Sequence, residues 1–384
     1  MRLLHVVPTY FPAVRYGGPI HSVHGLCAAL AARGHDVHVS TTNVDGPGDS
    51  AVPLGRPVDM DGVKVWYFPS RRLRRLYWSP PMGRMLKQEV GGFDLVHLHS
   101  VFLWPTWAAA RAARRSSVPY VLSPRGMLVK DLVRARSRYA KTAWMAIIER
   151  ANLARASGIH VTSAIEKADI EKFGFSLRGR IFDVPNGVVV QAEIPKQQGP
   201  QPPYLVMLGR INWKKRIDTA LEVVKLVDGV RLVIAGRDDD DLAAALRDRA
   251  ATLGVGEHVE FAGPVDGLRK RQLLQGALAL LMPSLSENFG NSALEAMAEG
   301  TPVIVVPQVG IADSVRESGS GFVVAPDAAA FADAVRQLQN DGNLRSRMGE
   351  RARATVAAQF SWDAIGARME NEYRTILNDF RRSG

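Results

Sequence analysis

The sequence predicts an α/β protein of two domains, each built on a doubly wound parallel sheet. Short β-branched and apolar runs alternate with helical patterns along the whole chain, which is typical of βαβ units. The length of 384 residues fits two such domains better than one. A stretch at 191–203 holds four prolines and four glutamines, and it separates the two series of runs as an extended linker.

Six runs predict the strands of a first domain over residues 1–190. Each is rich in apolar residues and is bounded by turn or helix signals. These runs are 2–7, 36–41, 63–68, 94–98, 119–123 and 158–162.

Six further runs predict a second domain over residues 204–360. They are 204–208, 231–235, 258–262, 277–282, 302–306 and 321–324. Residues 361–384 then predict an amphipathic helix, because their apolar side chains recur at helical spacing. We expect this helix to cross the domain junction and to pack back on the first domain.

The charge is concentrated in the first half of the chain. The net charge is +11, but residues 1–190 hold 26 basic and 13 acidic residues, whereas 191–384 hold 23 and 25. An excess of this sign favours an anionic partner such as a membrane surface, a phosphorylated substrate or nucleic acid. The single cysteine excludes a disulfide framework and a cysteine-ligated metal site.

Signals for secretion or membrane insertion are absent from the sequence. The apolar run at the start ends at Pro8, which is too early for a secretory signal. No stretch approaches the ~18 consecutive apolar residues of a membrane span. We therefore expect a cytoplasmic protein that docks on a membrane without crossing it.

The segment Gly17-Gly18-Pro19 is a candidate phosphate loop at the start of a helix. Paired glycines let the backbone approach a phosphate, and proline suits the first helical position. A plain tight turn is the alternative, since glycine-rich turns are common.

A basic cluster follows the first strand of the second domain. Arg210 comes two residues after that strand, and Lys214, Lys215 and Arg216 open the next helix. Arginine through its planar fork and lysine as a point charge can neutralise a diphosphate. A solvated basic surface is the alternative, but the position directly after a strand favours the diphosphate.

The segment 283–302 carries the most specific pattern. A strand ends in a polar loop containing Gly290, a helix begins near Asn291, and Glu287 and Glu295 lie eight residues apart. The loop amides can hold a phosphate, and Glu295 can accept hydrogen bonds from ribose hydroxyls. Alternatively, both glutamates are helix-start acids that balance the macrodipole.

These residues resemble glycosyltransferase family 4, the retaining nucleotide-sugar glycosyltransferases with the GT-B fold. The resemblance runs from Gly17-Gly18 through the motif Val184-Pro185-Asn186-Gly187-Val188 to the Glu-x7-Glu segment. It implies two Rossmann-like domains that face each other across a cleft. The second domain would bind most of the donor and the first would bind the acceptor.

The resemblance also implies roles for single residues. Arg210 and Lys215 are expected on the donor diphosphate, Glu295 on the ribose and Val265 beside the base. Gly17 and Gly18 are expected to complete the donor site. The donor sugar and phosphate are expected to contact Glu287, Asn288, Phe289, Gly290 and Asn291.

The chain departs from the family after the fifth strand of the first domain. Many relatives have a histidine there, positioned against the donor sugar, whereas this chain has Pro124 and Arg125. We therefore take Arg125, Gly126 and His99 as candidate contacts with the acceptor or the sugar. A structural hydrogen bond is the alternative role for His99 and for its neighbour His97.

The predicted function is retaining transfer of a sugar from a nucleoside-diphosphate sugar to a saccharide. Arg210 and Lys215 would stabilise the leaving group in place of a metal, with Glu287 nearest the sugar. The acidic run 238–241 suits a metal, but capping of the next helix explains it without one. No metal or other cofactor is expected.

The acceptor is expected to be a polyprenyl-diphosphate-linked saccharide at the inner face of the cytoplasmic membrane. The basic segments 71–87 and 130–141 could lie on an anionic leaflet, with apolar side chains at the interface. The interspersed apolar residues are Leu73, Leu76, Tyr77, Trp78 and Met82. Basic loops on a soluble enzyme are the alternative.

Other function classes remain open at this point. A nucleotide-sugar epimerase has the same two-domain architecture and needs no acceptor. A nucleic-acid-binding protein would explain the charge, but the basic region lacks aromatic platforms, so no nucleic acid is expected as a partner. An NAD-linked oxidoreductase is weaker still, because no Gly-x-Gly-x-x-Gly follows the first strand.

Overall fold

The computed structural model describes residues 1–128, 144–192 and 202–383. The basic segment 130–141 and most of the proposed linker therefore lie outside the described residues. The chain divides into two compact units. Unit 1 comprises Met1–Gly187 and Trp362–Gly384, and unit 2 comprises Val188–Ser361.

Unit 1 contains an eight-stranded sheet. Its strands are Arg2–Thr9 (β1), Asp36–Thr42 (β2), Val58–Met60 (β5), Val63–Phe68 (β6), Leu95–His99 (β7), Tyr120–Ser123 (β8), Gly158–Val161 (β9) and Arg180–Asp183 (β10). They lie in the order β10-β9-β8-β7-β1-β2-β6-β5, and only β5 and β6 pair antiparallel. A separate two-stranded ribbon joins Val44–Asp45 (β3) to Gly48–Asp49 (β4).

Unit 2 contains a six-stranded sheet whose neighbours are all parallel. Its strands are Tyr204–Leu208 (β11), Arg231–Ala235 (β12), Val259–Gly263 (β13), Ala279–Met282 (β14), Val303–Val305 (β15) and Gly321–Val323 (β16). The order β13-β12-β11-β14-β15-β16 is that of a Rossmann sheet, which reverses direction between β11 and β14. In unit 1 the same reversal falls between β1 and β7.

The sequence located these strands well. All twelve predicted runs coincide with strands to within two residues at either end. Two strands of these sheets, β5 and β10, were not predicted, because no residue of β5 and only one residue of β10 is buried. The reversals place the loops after β1, β7, β11 and β14 where open parallel sheets bind ligands.

The helices lie between the strands in chain order. In unit 1 they are Gly18–Ala32 (α1), Pro80–Glu89 (α2), Trp104–Arg115 (α3), Arg150–Arg155 (α4) and Ala164–Glu171 (α5). In unit 2 they are Ile217–Leu226 (α6), Ala243–Thr252 (α7), Gly267–Gln275 (α8), Asn291–Ala298 (α9), Ala312–Ser318 (α10), Ala328–Asn340 (α11) and Gly342–Thr355 (α12). The final helix, Trp362–Ser383 (α13), belongs to unit 1.

Helix α13 completes the core of unit 1. Its predicted apolar stripe is buried against α1 and the sheet, with Ile365, Met369 and Tyr373 at most 1% exposed. The Trp362 ring leaves no room for side chains at two glycines. A Cβ atom would lie 2.2 Å from this ring at Gly25 and 2.5 Å from it at Gly187. The glycine of the Val-Pro-Asn-Gly motif is therefore required by packing.

The basic segment 71–87 is only partly a surface feature. Leu73 is 64% exposed, whereas Met82, a residue of α2, is fully buried in the core. The interpretation of Met82 as a side chain at a membrane interface was therefore wrong. Arg74 is also occupied, because it pairs with Asp49 at 2.6 Å. Among the described helices, none has both the length and the apolar character needed to cross a bilayer.

Candidate active site

The loop after β11 presents the first two predicted donor residues. Gly209 has φ +130°, and its amide donates to Ala235 O of the neighbouring strand at 2.9 Å. Asn212 caps the 3₁₀ turn Trp213–Lys215 by accepting from Lys214 N at 3.1 Å. The result is an exposed Arg210 and a half-buried Lys215, which line one small cavity together.

The loop after β14 is fixed to its neighbours through its backbone. Leu285 N donates to Lys214 O at 2.9 Å, which joins this loop to the loop after β11. Glu287 N donates to Gln308 O at 3.2 Å, and Glu287 O accepts from Gly310 N at 3.1 Å. Two backbone bonds therefore hold Glu287 on a rigid support before α9 begins.

The two loops meet in an ion pair. Lys215 Nζ lies 2.7 Å from Glu287 Oε1, and the two side chains are 21% and 24% exposed. Glu287 lies four residues before α9 and forms an ion pair with Lys215. It is therefore more than an acid that balances the dipole at the start of the helix. Arg210 makes no hydrogen bond or ion pair within the described ranges. The site therefore keeps one positive charge without a counter-charge from those residues.

The start of α9 offers backbone donors. Gly290 occupies the N-cap with φ +106°, and a Cβ atom there would lie 2.7 Å from Val309 Cγ1. The amides of Phe289 and Gly290 have no hydrogen-bond partner in the part of the chain that is described. The Phe289 side chain is buried in the core of unit 2, so only its backbone can face a ligand. Asn288 and Asn291 are half-buried beside these amides.

Glu295 has a partner that the sequence did not indicate. Lys270 Nζ of α8 lies 3.0 Å from Glu295 Oε2, and each side chain is 32% exposed. Lys270 is the middle of three successive basic residues, so nothing in the sequence sets it apart from its neighbours. The pair orients one Glu295 oxygen and leaves the other without a partner among the described residues.

Val265 lies apart from the charged pair. It follows β13 and lines a cavity of ≈640 Å³ that extends along α8 to Tyr204 and Gly276. Arg210, Lys215 and Glu287 do not line that cavity. The structure therefore does not bring Val265 together with the predicted diphosphate residues in one cavity.

The acidic run 238–241 has a structural role. Asp238 accepts from Leu242 N through one oxygen and from Ala243 N through the other, both at 2.8 Å. Asp240 accepts from Asn212 Nδ2 at 2.6 Å, which braces the loop that carries Arg210. Both carboxylate oxygens of Asp238 are therefore used to cap the start of α7.

In unit 1, Gly17 and Gly18 begin α1 as the sequence suggested. Gly17 is the N-cap, with φ +74°, and Pro19 lies in the first turn. A Cβ atom at Gly17 would meet nothing within 4 Å, so its dihedral angle and not its surroundings favours glycine.

Four buried histidines lie on one face of the sheet of unit 1. His5, His97 and His99 alternate with apolar residues on β1 and β7, and His160 lies on β9. The sheet register pairs His5 with His97 and His99 with Ser123. We call these four histidines, with Ser123 and Tyr373, the histidine network. The sequence singled out only His97 and His99, because grouping all four requires the strand order.

The direction of one half of the network follows from its ends. His160 Nε2 must donate to Val184 O at 2.7 Å, so His160 Nδ1 accepts from the Ser123 hydroxyl at 2.6 Å. Ser123 Oγ then accepts from His97 Nε2 at 2.6 Å. His97 Nδ1 accordingly accepts from the Tyr373 hydroxyl of α13 at 2.5 Å. Every hydroxyl proton in this chain of bonds has an acceptor.

The direction of the other half is set by Arg125. A guanidinium only donates, so His99 Nδ1 accepts from Arg125 at 3.2 Å. His99 Nε2 then donates to His5 Nδ1 at 3.0 Å. The remaining His5 Nε2–H is buried and has no partner in the described structure. His99 therefore has both ring nitrogens occupied.

The histidines of the network are neutral at physiological pH. Burial, and next the charge of Arg125, lowers the pKa of His5 and of His160 to about 3. Burial also holds the pKa of His97 and of His99 well below the usual value. The bond directions also require neutral rings, because each ring accepts a hydrogen bond at one nitrogen and has a proton on the other. That proton is donated in three of the rings, and in His5 it has no partner among the described residues.

Three of these rings have the spacing of a metal site. One nitrogen each of His5, His97 and His99 lies within 4.8 Å of the others. Their acceptor lone pairs are already taken, however, by Tyr373, Arg125 and one another. The adjacent guanidinium also opposes a further cation. The donor set therefore fits a hydrogen-bond network better than a metal centre.

Arg125 and Gly126 form a strained turn after β8. Both have positive φ, +56° and +73°, which is uncommon for a residue with a side chain. The buried Glu166 holds the turn by accepting from Gly126 N at 2.7 Å and from Thr162 N at 2.8 Å. The Arg125 side chain, half-buried, also donates to Asn186 Oδ1 at 3.0 Å. Sequence reasoning missed Glu166 because it lies 40 residues from the turn.

Two family profiles match the chain. The profile described as Glycosyl transferase 4-like domain matches residues 17–187, and the one described as Glycosyl transferases group 1 matches residues 190–355. Together they cover most of both units, without β1 and α13, and all of the predicted site residues.

Individual proteins of known identity are also similar. The D-inositol 3-phosphate glycosyltransferase of Nocardia farcinica is 30% identical over 78% of this chain and 71% of its own. The phosphatidyl-myo-inositol mannosyltransferase of Mycobacterium leprae is 27% identical over 98% of this chain and 97% of its own. The solved structure of sucrose-phosphate synthase from Thermosynechococcus elongatus superposes with a TM-score of 0.77 over 99% of this chain and 100% of that one, at 22% identity.

Proposed function

The chain belongs to the group 1 glycosyltransferases, with a family 4-like domain ahead of the group 1 domain, and we propose that it transfers a sugar with retention of configuration. Transfer from a nucleotide sugar and the GT-B class of fold, with two Rossmann-like domains, follow from the family and the structural similarity. The retaining stereochemistry, the acceptor and the absence of a metal are the proposed parts.

The observation that carries the proposal is the set of groups at the β11–β14 reversal. Arg210 and the amides of Phe289 and Gly290, which have no partner among the described residues, lie with Lys215 where ligands bind in such sheets. Each is a donor or a cation suited to an oxyanion. A nucleoside diphosphate, which gains negative charge as it leaves, is the ligand that this set fits.

The proposed reaction uses these groups for leaving-group stabilisation. The bond between the sugar C1 and the diphosphate oxygen breaks, and the acceptor hydroxyl oxygen bonds to C1 from the same face. The acceptor proton passes to the departing phosphate oxygen. Arg210 and Lys215 hold the growing negative charge, a role that a divalent cation fills in other transferases. Loss of transfer in EDTA with recovery in Mn²⁺ would contradict this part of the proposal.

Glu287 is proposed as the carboxylate nearest the sugar. Its backbone is fixed by two hydrogen bonds, and Lys215 holds one of its oxygens. When the diphosphate takes Lys215, that carboxylate oxygen becomes available to the sugar. Glu287→Ala is expected to lower kcat ~100-fold, because a positioned polar group in the transition state is removed. The matched control is Glu317→Ala, an exposed glutamate on α10, and equal rates for the two variants would remove Glu287 from the reaction.

The proposed acceptor is a saccharide on a polyprenyl diphosphate, used in polysaccharide or glycolipid synthesis at the inner membrane face. Arg71, Arg72 and Arg75 are exposed beside Leu73, which combines cations with an apolar side chain on one surface. Such a surface suits an anionic leaflet. Co-sedimentation with anionic vesicles at low salt, lost with neutral vesicles, is the expected result. Failure to co-sediment would favour a soluble acceptor.

The donor is identified by a binding panel. UDP, GDP, ADP and dTDP are added separately, and the melting temperature is measured. A ligand that binds only the folded state raises the melting temperature by mass action. The nucleotide that does so is then tested as a radiolabelled sugar donor with and without membranes. Release of a free epimerised nucleotide sugar, without an acceptor, would overturn the transferase proposal.

A further inference from the structure

The strongest unexplained feature of unit 1 is the guanidinium of Arg125. Its hydrogen-bond partners are the His99 ring and the Asn186 amide, and both are neutral. No carboxylate lies within ion-pair distance of it among the described residues. Glu166 is close enough to favour the charged form of Arg125. Its carboxylate, however, is already engaged by three donors, on Gly126 and Thr162.

Such an arrangement is costly unless something compensates the charge. Burial without a counter-ion disfavours a guanidinium, and paired arginines are therefore the rule in protein interiors. Burial indeed lowers the pKa of Arg125 from its ordinary value. The surrounding histidines add no compensation, because they are neutral. By contrast, the more exposed Arg2 of unit 1 has a carboxylate partner, with Asp36 at 3.3 Å.

The guanidinium also has unused donors. It has five N–H groups, of which Nε–H and one Nη2–H point at His99 and one Nη1–H points at Asn186. The two others, one on each Nη atom, have no partner in the described residues. Two donors on adjacent nitrogens match the two oxygens of a carboxylate or a phosphate.

The position is one where a ligand can arrive. Arg125 follows β8, beside β7, at the carboxyl end of the sheet of unit 1 and close to the β1–β7 reversal. The residue is half-buried and not sealed in the core. Its turn is strained and is held by Glu166, so the conformation that presents the side chain is built into the fold.

We propose that Arg125 is an oxyanion subsite, which binds a carboxylate or phosphate group of a substrate through its two free N–H donors. The inference rests on the proposed transferase function for the identity of the substrate, but not for the binding itself. Two sources supply the same chemistry. One is a phosphate on the acceptor, and the other is the carboxylate of a uronic acid. In either case the histidine network acts as the support that orients the guanidinium.

The first test observes the guanidinium directly in the full-length protein. Arginine Nε–H signals are recorded by ¹H–¹⁵N correlation spectroscopy, and Arg125→Gln identifies the signal of interest by its loss. Methyl phosphate, methyl glucuronide and neutral methyl glucoside are titrated separately. A saturable shift of the Arg125 signal with an anion, and none with the glucoside, is expected. The Arg2 signal is the internal control for non-specific ionic effects.

The outcomes of this test separate the sources. A shift with methyl phosphate alone assigns the subsite to a phosphorylated group, and a shift with the glucuronide alone assigns it to a uronate. No shift with either anion, or the same linear drift at Arg2, overturns the proposal. This result does not depend on transfer activity, so it stands even if the proposed function fails.

The second test uses transfer by a working donor and acceptor pair. Arg125→Gln is expected to raise the KM of the anionic substrate ~10- to 100-fold, because a charged hydrogen bond is lost, with a smaller effect on kcat. Arg125→Lys is expected to recover part of the loss, since it keeps the charge but not the fork. Arg2→Gln removes one paired charge of the same unit and serves as the control. An equal fall in kcat for all substrates, without a KM effect, would indicate a structural role and contradict the subsite.

Discussion

The two units use the same sheet edge in opposite ways. In unit 2, the loops after β11 and β14 carry partly exposed charges that pair with one another, as Lys215 does with Glu287. In unit 1, the ends of β1 and β7 carry buried histidines that are neutral and hydrogen-bonded in fixed directions. Partly exposed charges can exchange partners when a ligand arrives, whereas a buried neutral network holds one arrangement. In the proposed reaction, unit 2 would accordingly supply electrostatic stabilisation and unit 1 would supply rigid positioning.

The largest expected effect comes from acidifying unit 1. The four histidines are neutral in the folded chain, but unfolded histidines take up protons below about pH 6.5. Stability from this source is complete above that pH and falls as the pH drops toward about 3, where folded His5 and His160 titrate. Each such histidine contributes a loss approaching about 1.4 kcal/mol per pH unit.

Tryptophan fluorescence can follow that loss. All tryptophans except Trp213 lie in unit 1, so their emission during urea unfolding reports mainly on this unit. The urea midpoint is expected to be much lower at pH 5.5 than at pH 7.5. A urea midpoint that stays the same or rises on acidification would contradict the claim that unit 1 depends on buried neutral histidines.

The next effect concerns the charges of unit 2. Lys215→Ala is expected to lower kcat by about 100- to 1,000-fold, because one preorganised group at the developing phosphate charge is removed. The loss of this half-buried ion pair should lower the melting temperature by only a few degrees, because both side chains still contact solvent. Steady-state kinetics with saturating donor measure the effect. Lys225→Ala, an exposed lysine on α6, is the control, and a comparable loss there would contradict a specific role for Lys215.

A smaller effect is expected from the hydroxyl of α13. Tyr373→Phe removes the donor to His97 Nδ1 and leaves a buried acceptor unsatisfied. The expected loss is about 1–3 kcal/mol in the free energy of unfolding, measured by urea titration at pH 7.5. The donor affinity of unit 2, measured with the nucleotide that binds it, should not change. An unaltered urea midpoint would show that the network does not depend on this bond.

The smallest effect tests the acidic run. Asp238→Ala removes the cap of α7 and is expected to cost about 0.5–2 kcal/mol of stability. Transfer at saturating donor should persist, with the same response to Mn²⁺ as in the parent. Asp239→Ala, which breaks only an exposed pair with Arg237, should have a lesser effect on stability. A Mn²⁺ response that disappears only in the Asp238 variant would instead assign this run to a metal.

Much of this architecture could be predicted from the sequence, because apolar periodicity fixes strands and helices locally. The twelve predicted strands and the loops at 209–216 and 283–291 follow from such local patterns. The strand β10 could not be predicted in this way, because only Phe182 of its four residues is buried. The other three residues lie at the sheet edge and need not be apolar. Periodicity also could not show that Met82 points into the core.

The parts of the site that were missed depend on contacts between distant residues. Lys270 reaches Glu295 from the preceding helix, and Glu166 reaches Gly126 across 40 residues. The histidine network joins strands that are neighbours only because of the sheet order. The proposal for Arg125 likewise depends on which groups surround its side chain. Residue type and spacing identify candidates, whereas charge compensation becomes visible only in three dimensions.

The division of the chain sets the order in which the units can be finished during synthesis. Unit 2 is continuous and has all of its residues once Ser361 has been made, whereas unit 1 waits for α13. Until Tyr373 emerges from the ribosome, His97 lacks its donor and the sheet face beneath α13 is uncovered. Domains usually fold in the order in which they are translated. Here the half that starts first is completed last, because α13 is the last element of the chain to be synthesised.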